Sequence, residues 1–375
     1  MNHDRALAAA RDTLLIGVDG GASGFRAHEV RICESGGRLH WSLGEHSASE
    51  NIEPVEGFSP KALEVQREEV RRGALEFSRE ELRMQARWVH AASRAIWQVS
   101  AACGRDRISV GICAPGLKTP DGRGIELALN GPRIPDFADD LEQSLVIGGL
   151  NVAQQIGRVV SDGLACGHGE ELAEDGLFRS VRDAYYIGGG SGVAEAFKLA
   201  GKVQGLEQLA PTISRAWQLR AADGASYEEH LSIGPLNRAF GLKRIAVVSP
   251  EELPETAAAR GDPRAVALFD AMARSLAEFC CARILELHTT HGTLLERIVI
   301  GQRLGQFFRD PRLEPIFAAR ARSVLLEQLR QRAAPEIFAA WIDGDELRAG
   351  RLMGSSLRAA SALGALALAI APPQS

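Results

Sequence analysis

The sequence predicts an α/β protein built as two related lobes, and three observations carry that reading. Apolar runs of strand length alternate with helical patterns along the chain, the mark of layered α/β folds. A strand, a glycine-rich segment and a second strand occur at residues 13–32 and again at 184–199, about 170 residues later. The length of 375 residues is enough for roughly two domains or two lobes of one fold.

The elements follow in order. TLLIGV at 13–18 is a strand, Asp19-Gly20-Gly21 a turn and 25–32 a second strand, together a hairpin. Residues 42–59 mix Ser, Glu, Gly, Pro and Asn without periodicity and read as a loop. Ser78 and Glu81 form a capping box for a helix reaching about Cys103. ISVGIC at 108–113 is a buried strand closed by Ala114-Pro115-Gly116, and 137–147 is helical. Val159-Val160 is a short strand leading through Ser161-Asp162 to a helix over 163–173.

The second strand–glycine–strand unit runs AYYI (184–187), Gly188 to Gly192, then 193–199, with Ala200-Gly201-Lys202 as the next turn. Asp262 as N-cap and Pro263 as first residue start a long helix to about His288. RIVI at 297–300 is a strand ending at Gly301, and 313–332 is a helix. A last strand is expected at 336–341 and a closing helix at 355–370.

Composition excludes several classes. The chain is 45% hydrophobic and 24% charged with a formal net charge of −5, an ordinary globular balance without the basic excess of nucleic-acid binders. The arginines between 320 and 332 read as a solvated helix face. Six cysteines (33, 103, 113, 166, 280, 281) lack C-x-x-C spacing, so neither a disulfide framework nor a structural zinc site is expected. Residues 1–11 lack a signal-peptide core, and the apolar tail at 359–371 is shorter than the ~20 residues of a membrane-spanning helix. The expectation is a cytoplasmic protein that uses neither membrane nor nucleic acid.

Chemistry concentrates in a few places. Glycines at 20, 21 and 24 let backbone N–H groups approach a polyanion, Ser23 adds a hydroxyl, and Asp19 could hold a hydrated Mg2+. The simpler reading is a hairpin turn needing positive φ. Gly188-Gly189-Gly190-Ser191-Gly192 has the same logic and the same simpler reading. Neither segment is a Walker A loop, lacking Gly-Lys-Ser/Thr, and neither precedes a helix as a dinucleotide fingerprint does. Asp162, at a strand end, could accept a proton from a hydroxyl attacking a phosphoryl group, or could simply cap a helix. His288 and His291 read as a helix C-terminus. Cys113 reads as structural, and His168 as packed on a helix.

In their order, these pieces resemble the sugar kinase/actin/Hsp70 ATPase superfamily, and within it the ROK sugar kinases. The segment from Ile16 to Ser23 looks like the first phosphate loop. Val110 to Leu117, continuing through Asp121-Gly122 to Asn130 and Pro135, is similar to the ROK segment with its Pro-Gly turn. Val160-Ser161-Asp162-Gly163, with Gly167 and Glu170, looks like the segment of the catalytic aspartate. Gly188 to Gly192 resembles the second phosphate loop, and the strand ending at Gly301 the adenosine side. The resemblance covers most of residues 13–371.

It implies two actin-like (ribonuclease H-like) lobes around a nucleotide cleft, one at 13–162, to which 355–371 could return, and one at 163–354. It implies a kinase that uses ATP and Mg2+ to phosphorylate a hexose or amino sugar, and a homodimer. Asp162 would be the general base. Gly116, Asn130, Ser161 and Asp162 would lie near the sugar. Asp19, Gly20, Gly21, Ser23, Gly188, Gly189, Gly190, Ser191 and Gly301 would serve the nucleotide, with Asp19 on the metal through water.

The chain departs from the ROK pattern at four points. Ser161 stands where Asn usually precedes the aspartate, and 205–217 lacks the Glu-x-Gly-His segment. The cysteine-rich zinc site is missing, and Gly301-Gln302-Arg303 replaces consecutive glycines. Two alternatives therefore stand: a BadF/BadG-type N-acetylglucosamine kinase or ATPase, which Asp19-Gly20-Gly21 resembles somewhat better, and a catalytically silent sugar or nucleotide sensor.

Overall fold

The structure, a computed structural model, describes residues 3–209, 212–242 and 249–370. The chain divides into two compact units, Met1–Gly176 with Ala359–Ser375, and Leu177–Arg358. The sequence expectation put a boundary after Asp162, the first residue of a helix that falls in the first unit.

In the first unit the order is α1 (His3–Asp12), β1 (Leu14–Gly21), β2 (Gly24–Ser35), β3 (Arg38–Asn51), α2 (Leu63–Arg71) and α3 (Arg79–Cys103). Then come β4 (Arg107–Cys113), β5 (Leu117–Lys118), β6 (Ile125–Leu127), α4 (Phe137–Ile147), β7 (Asn151–Val152), β8 (Val159–Val160) and α5 (Asp162–Leu172). The second unit contains β9 (Ala184–Gly189), β10 (Val193–Leu199), β11 (Lys202–Gly205), α6 (Leu206–Leu209), α7 (Tyr227–Leu231), α8 (Ile233–Phe240) and α9 (Pro254–Ala259). It continues with α10 (Pro263–His291), β12 (Arg297–Gly301), α11 (Gln302–Arg309), α12 (Ala319–Arg332), α13 (Pro335–Trp341), β13 (Ile342–Asp343), β14 (Glu346–Leu347) and β15 (Leu352–Gly354). The closing helix α14 (Ala360–Ile370) belongs to the first unit.

The two sheets repeat one plan. The first is ordered β3-β2-β1-β4-β7, with β8 also on β4, and the second β11-β10-β9-β12-β15. In each, three antiparallel strands are followed by strands parallel to the first. This is the actin-like, ribonuclease H-like arrangement, present twice, and the long-period echo in the sequence is its trace.

Helix α3 starts at Ser78 as expected, its hydroxyl accepting from the Glu81 N–H at 3.1 Å. The expected capping box is only half made, because the Glu81 carboxylate goes to Arg133. Gly104 closes the helix in the left-handed conformation. Its inner face buries Trp88, Ala92, Ile96 and Val99, with Trp88 edge-on to Phe25. Burying Ile96 alone stabilises by about 1.5–3 kcal/mol. Helix α10 likewise begins on Asp262, whose carboxylate accepts from Ala265 N–H at 2.9 Å.

Four further expectations are corrected. Residues 42–51 are not loop but part of β3, a 14-residue strand on β2. Its polar composition reflects a sheet edge, and a register irregularity opposite His28/Val30 breaks the alternation. Residues 336–341 are helix α13, because Pro335 takes its first position after an extended Ala334. The closing helix begins at Ala360 rather than 355. Asp19, Gly20 and Gly21 are not a turn but the end of β1, paired with Arg26, Phe25 and Gly24 around a two-residue tip, Ala22-Ser23. No helix among the described residues is long and apolar enough to cross a membrane.

Candidate active site

In the first unit, sheet register brings two carboxylates to one end. Strands β1, β4 and β8 are parallel, with Asp19 opposite Cys113 and Cys113 opposite Val160. Asp162 follows two residues after Val160. Both acids thus lie at the carboxyl ends of parallel strands, where open α/β sheets bind ligands. Asp162 is the first residue of α5; the cap position is Ser161, whose side chain makes no capping bond. The Asp162 carboxylate accepts from Gly163 N–H at 2.9 Å.

Asp19 accepts hydrogen bonds from Ser361, near the start of α14, and from the Cys113 thiol at 3.5 Å. Burial raises its pKa above the ordinary carboxylate value. The Ser361 bond works against that rise, and the negative charge of Asp162 adds to it.

Gly17 and Gly20 of this strand are needed for space, not for turning, while Gly21 has room for a Cβ; among residues 19–24 none has left-handed φ. A Cβ on Gly20 would sit 2.5 Å from the Phe25 ring and 2.6 Å from the Cys113 carbonyl oxygen. Ser23 is exposed at the hairpin tip.

Gly116, by contrast, does need its conformation, with φ +95 and a hypothetical Cβ only 2.6 Å from the Leu127 oxygen. Lys118 pins this turn, its ammonium donating to the carbonyls of Ala114 (2.8 Å) and Gly116 (2.6 Å). Asn130 is exposed on a segment clamped at both flanks. Gln66 exchanges two hydrogen bonds with the Ala128 backbone, at 2.8 and 2.9 Å. The buried Arg133 gives Nε and Nη2 to the two oxygens of Glu81, each at 3.0 Å, and also pairs with Glu69. Burial works to raise the Glu69 carboxyl, but Lys61 and Arg133 outweigh it and bring its pKa to about 2.

In the second unit Gly188 is opposite Gly301 in the β9–β12 pair, and Gly190, Ser191 and Gly192 join β9 to β10. Gly190 N–H donates to Gly192 O, and Gly190 O accepts from Ile233 N–H, both at 2.9 Å. No residue of 188–192 has left-handed φ; here too the glycines make room. A Cβ on Gly189 would lie 2.5 Å from the Leu231 oxygen, and one on Gly301 2.1 Å from the Tyr186 hydroxyl. Ser191 is exposed. Of the 205–217 segment, Glu207 lies on the short helix α6, while residues 210 and 211 are outside the described residues.

The expected residues therefore fall into two sets, one in each unit: Asp19–Ser23, Gly116, Asn130, Ser161 and Asp162 in the first, of which register brings Asp19 and Asp162 together, and Gly188–Ser191 and Gly301 in the second. Sequence reasoning missed Ser361 and the contact of Cys113 with Asp19, since no local motif marks either. It also missed Tyr186 as the side chain that fills the space over Gly301. Among the described residues Glu29, His46 and Cys103 lie together. The Glu29 oxygens are taken by Arg31, the His46 ring and two backbone N–H groups, an internally satisfied cluster.

No protein-family model matches the sequence. No curated protein matches it either. Solved structures do match, and they establish the fold. A ROK family glucokinase from Streptomyces griseus, in complex with glucose and AMPPNP, aligns over 95% of this chain and 98% of its own at 18% identity and TM-score 0.57. The ROK hexokinase from Thermus thermophilus aligns over 94% and 97% at 17% identity and TM-score 0.52. A ROK family transcriptional regulator, homologous to the E. coli MLC protein, aligns over 96% of this chain and 79% of its own at 15% identity and TM-score 0.54. The chain shares the fold of the ROK sugar kinases.

Proposed function

We propose that the protein is an ATP-dependent carbohydrate kinase acting on a hydroxyl of a hexose or amino sugar, with Asp162 as general base. The observation that carries this reading is the meeting of Asp19 and Asp162 at the carboxyl ends of β1, β4 and β8, where the charge of one raises the pKa of the other.

On this reading the Asp162 carboxylate takes the proton from the sugar hydroxyl as its oxygen bonds to the γ-phosphorus. The bond from that phosphorus to the bridging oxygen breaks, and ADP leaves with the electron pair. Gly116, Asn130 and Ser161 face the sugar. Ser23 and the backbone of Gly20 and Gly21 serve the phosphates, as do Gly188–Gly190 and Ser191, while Gly301 serves the adenosine side. The work of these groups is mostly positioning and charge neutralisation.

A hard cation fits the donor set, since two neighbouring carboxylates offer oxygens and their repulsion would be relieved by positive charge. Asp19 would hold Mg2+ through water, and the ion would supply charge neutralisation on the phosphates.

The test is ADP release with Mg-ATP across hexoses and amino sugars, with Asp162→Asn as control. Sugar-dependent release lost in the variant supports the kinase and names the acceptor class. No release with any sugar, while ATP still raises the melting temperature, favours a sensor. That second reading has its own support: α6, Leu206–Leu209, carries Glu207 but no histidine. Activity confined to N-acetylglucosamine would favour the BadF/BadG-type alternative.

A further inference from the structure

Within the second unit two arginines enter neighbouring strands side by side. Arg297 is the first residue of β12, and Arg351 directly precedes β15. The strands are parallel with Ile298 opposite Leu352, and the Ile298 N–H donates to the Arg351 carbonyl at 2.7 Å. The two arginines are therefore neighbours across the pair, and like charges so placed destabilise a sheet.

Among the described residues the acceptors that reach these two guanidinium groups are neutral. Arg297 gives Nε to the Gly350 carbonyl at 3.0 Å, and Nη1 to the Leu177 carbonyl at 2.6 Å and the Ser180 hydroxyl at 3.0 Å. Arg351 gives Nη1 to the Glu296 carbonyl at 2.5 Å. The Glu296 carboxylate is engaged elsewhere, its Oε1 accepting from the N–H groups of Arg182 and Asp183 at 2.8 and 3.2 Å. Burial lowers the pKa of both arginines against the pull of Glu296, and the charges of Arg348 and Arg297 lower Arg351 further. Both are thus half-buried cations whose charge no hydrogen-bonded anion balances.

They line one cavity of about 370 Å³ together with Arg348, Glu296, Asp343 and Gly350. Arg348 meets Asp343 only loosely, at 3.7 Å. The volume suits a small metabolite. Arg297 and Gly301 are the two ends of β12, about 13 Å apart along the strand, so this cavity is separate from the candidate nucleotide residues.

We propose that the cavity binds a phosphoryl-bearing anion, inorganic phosphate or a small phosphate ester, through Arg297, Arg348 and Arg351. A guanidinium fork takes two phosphate oxygens at once, and a phosphate dianion has oxygens and charge for more than one fork, whereas a monocarboxylate serves only one. The site goes beyond the kinase reading and does not depend on it.

The test is calorimetric titration of the wild-type protein, Arg351→Gln and Arg348→Gln with inorganic phosphate, glucose 6-phosphate and acetate, with melting temperatures to show that each variant folds. Arg348 is exposed, so its variant carries the test if Arg351→Gln does not fold. Wild type is expected to bind at least one phosphate compound, acetate about tenfold or more weakly, and each variant to bind that compound about tenfold more weakly than wild type. Tighter binding of inorganic phosphate assigns the free ion, and tighter binding of the sugar phosphate assigns an ester. No binding of either at millimolar concentration overturns the proposal, as do equal affinities in wild type and variants, or acetate binding as tightly as phosphate. Binding that saturating Mg-ATP abolishes would place the anion at the glycine segments and overturn it too. A protein that binds no nucleotide would end the proposed function and leave this site standing.

Discussion

The Cys113 thiol points at Asp19, its Sγ 3.5 Å from Oδ1 across the parallel pairing of β1 and β4. That donor favours the ionised carboxylate, against burial and the charge of Asp162. Cys113→Ala should raise the Asp19 pKa further and move the acid limb of sugar-dependent ADP release to higher pH. The stability cost should be about 1 kcal/mol. A pH profile of kcat/KM in both proteins checks it, and coincident profiles would separate the thiol from the chemistry.

The same carboxyl links the proposed function to stability. Its pKa is above the unfolded value, so ionised Asp19 costs stability, and the cost grows as pH rises from the unfolded pKa through the folded one. Asp19→Asn should therefore melt higher than wild type at pH 7–8 while losing ADP release. Melting scans at pH 4 and pH 8 test the sign, and the gain should shrink at the acid end.

Arg133 holds the Asn130 segment through Glu81 and Glu69 with its guanidinium almost wholly buried. Arg133→Met leaves the buried Glu81 carboxylate without its partner, while Glu69 keeps Lys61, and a loss of about 3–5 kcal/mol is expected. Urea unfolding gives the number. The double variant with Glu81→Gln should lose less than the sum of the two single losses, since the residues act as one network.

Burial of His168 lowers its pKa to about 4. The neutral ring is the folded form, so its stabilising effect is complete above the unfolded value of about 6.5 and disappears as pH falls toward 4. A loss of about 2–3 kcal/mol over that range is expected. His168→Gln should flatten the stability–pH curve there, as chemical unfolding at half-unit steps would show.

Helix α14 lies against β1, β4 and α5 through glycine notches. A Cβ on Gly17 would meet the Ala362 oxygen at 2.2 Å, one on Gly111 the Leu366 Cα at 2.2 Å, and one on Gly364 the Ala165 oxygen at 1.8 Å. These neighbours are backbone and cannot swing aside. Gly364→Ala should cost at least about 1–3 kcal/mol, and a melting temperature equal to wild type would contradict the packing.

Much of this was legible in the sequence, because the strands buried on both faces, such as ISVGIC and RIVI, are continuous apolar runs, and the helices carry caps at Ser78 and Asp262. What was not legible depended on partners distant in the chain. β3 looks like loop because only one sheet neighbour and a register shift define it. The IFAAW run looks like strand until Pro335 is placed at a helix start. At the candidate site, type and order single out Asp19 and Asp162, which the register puts at the carboxyl ends of parallel strands. Ser361 could not be found that way, since it reaches Asp19 from more than 300 residues away. Nor could the true reason for Gly20, which is the Phe25 ring and a carbonyl oxygen on the neighbouring strand.

The position of α14 has a consequence for how the polypeptide is made. During synthesis the first 176 residues leave the ribosome with the notches at Gly17, Gly111 and Gly169 still open, while the whole of Leu177–Arg358 is translated. Domains usually complete themselves in the order they emerge. Here the later unit can close on its own while the earlier one waits for the last helix. Ribosome-bound chains stalled before residue 359 should therefore expose the first unit's apolar surface to holdase chaperones, and a premature stop before α14 would damage a part of the protein already made.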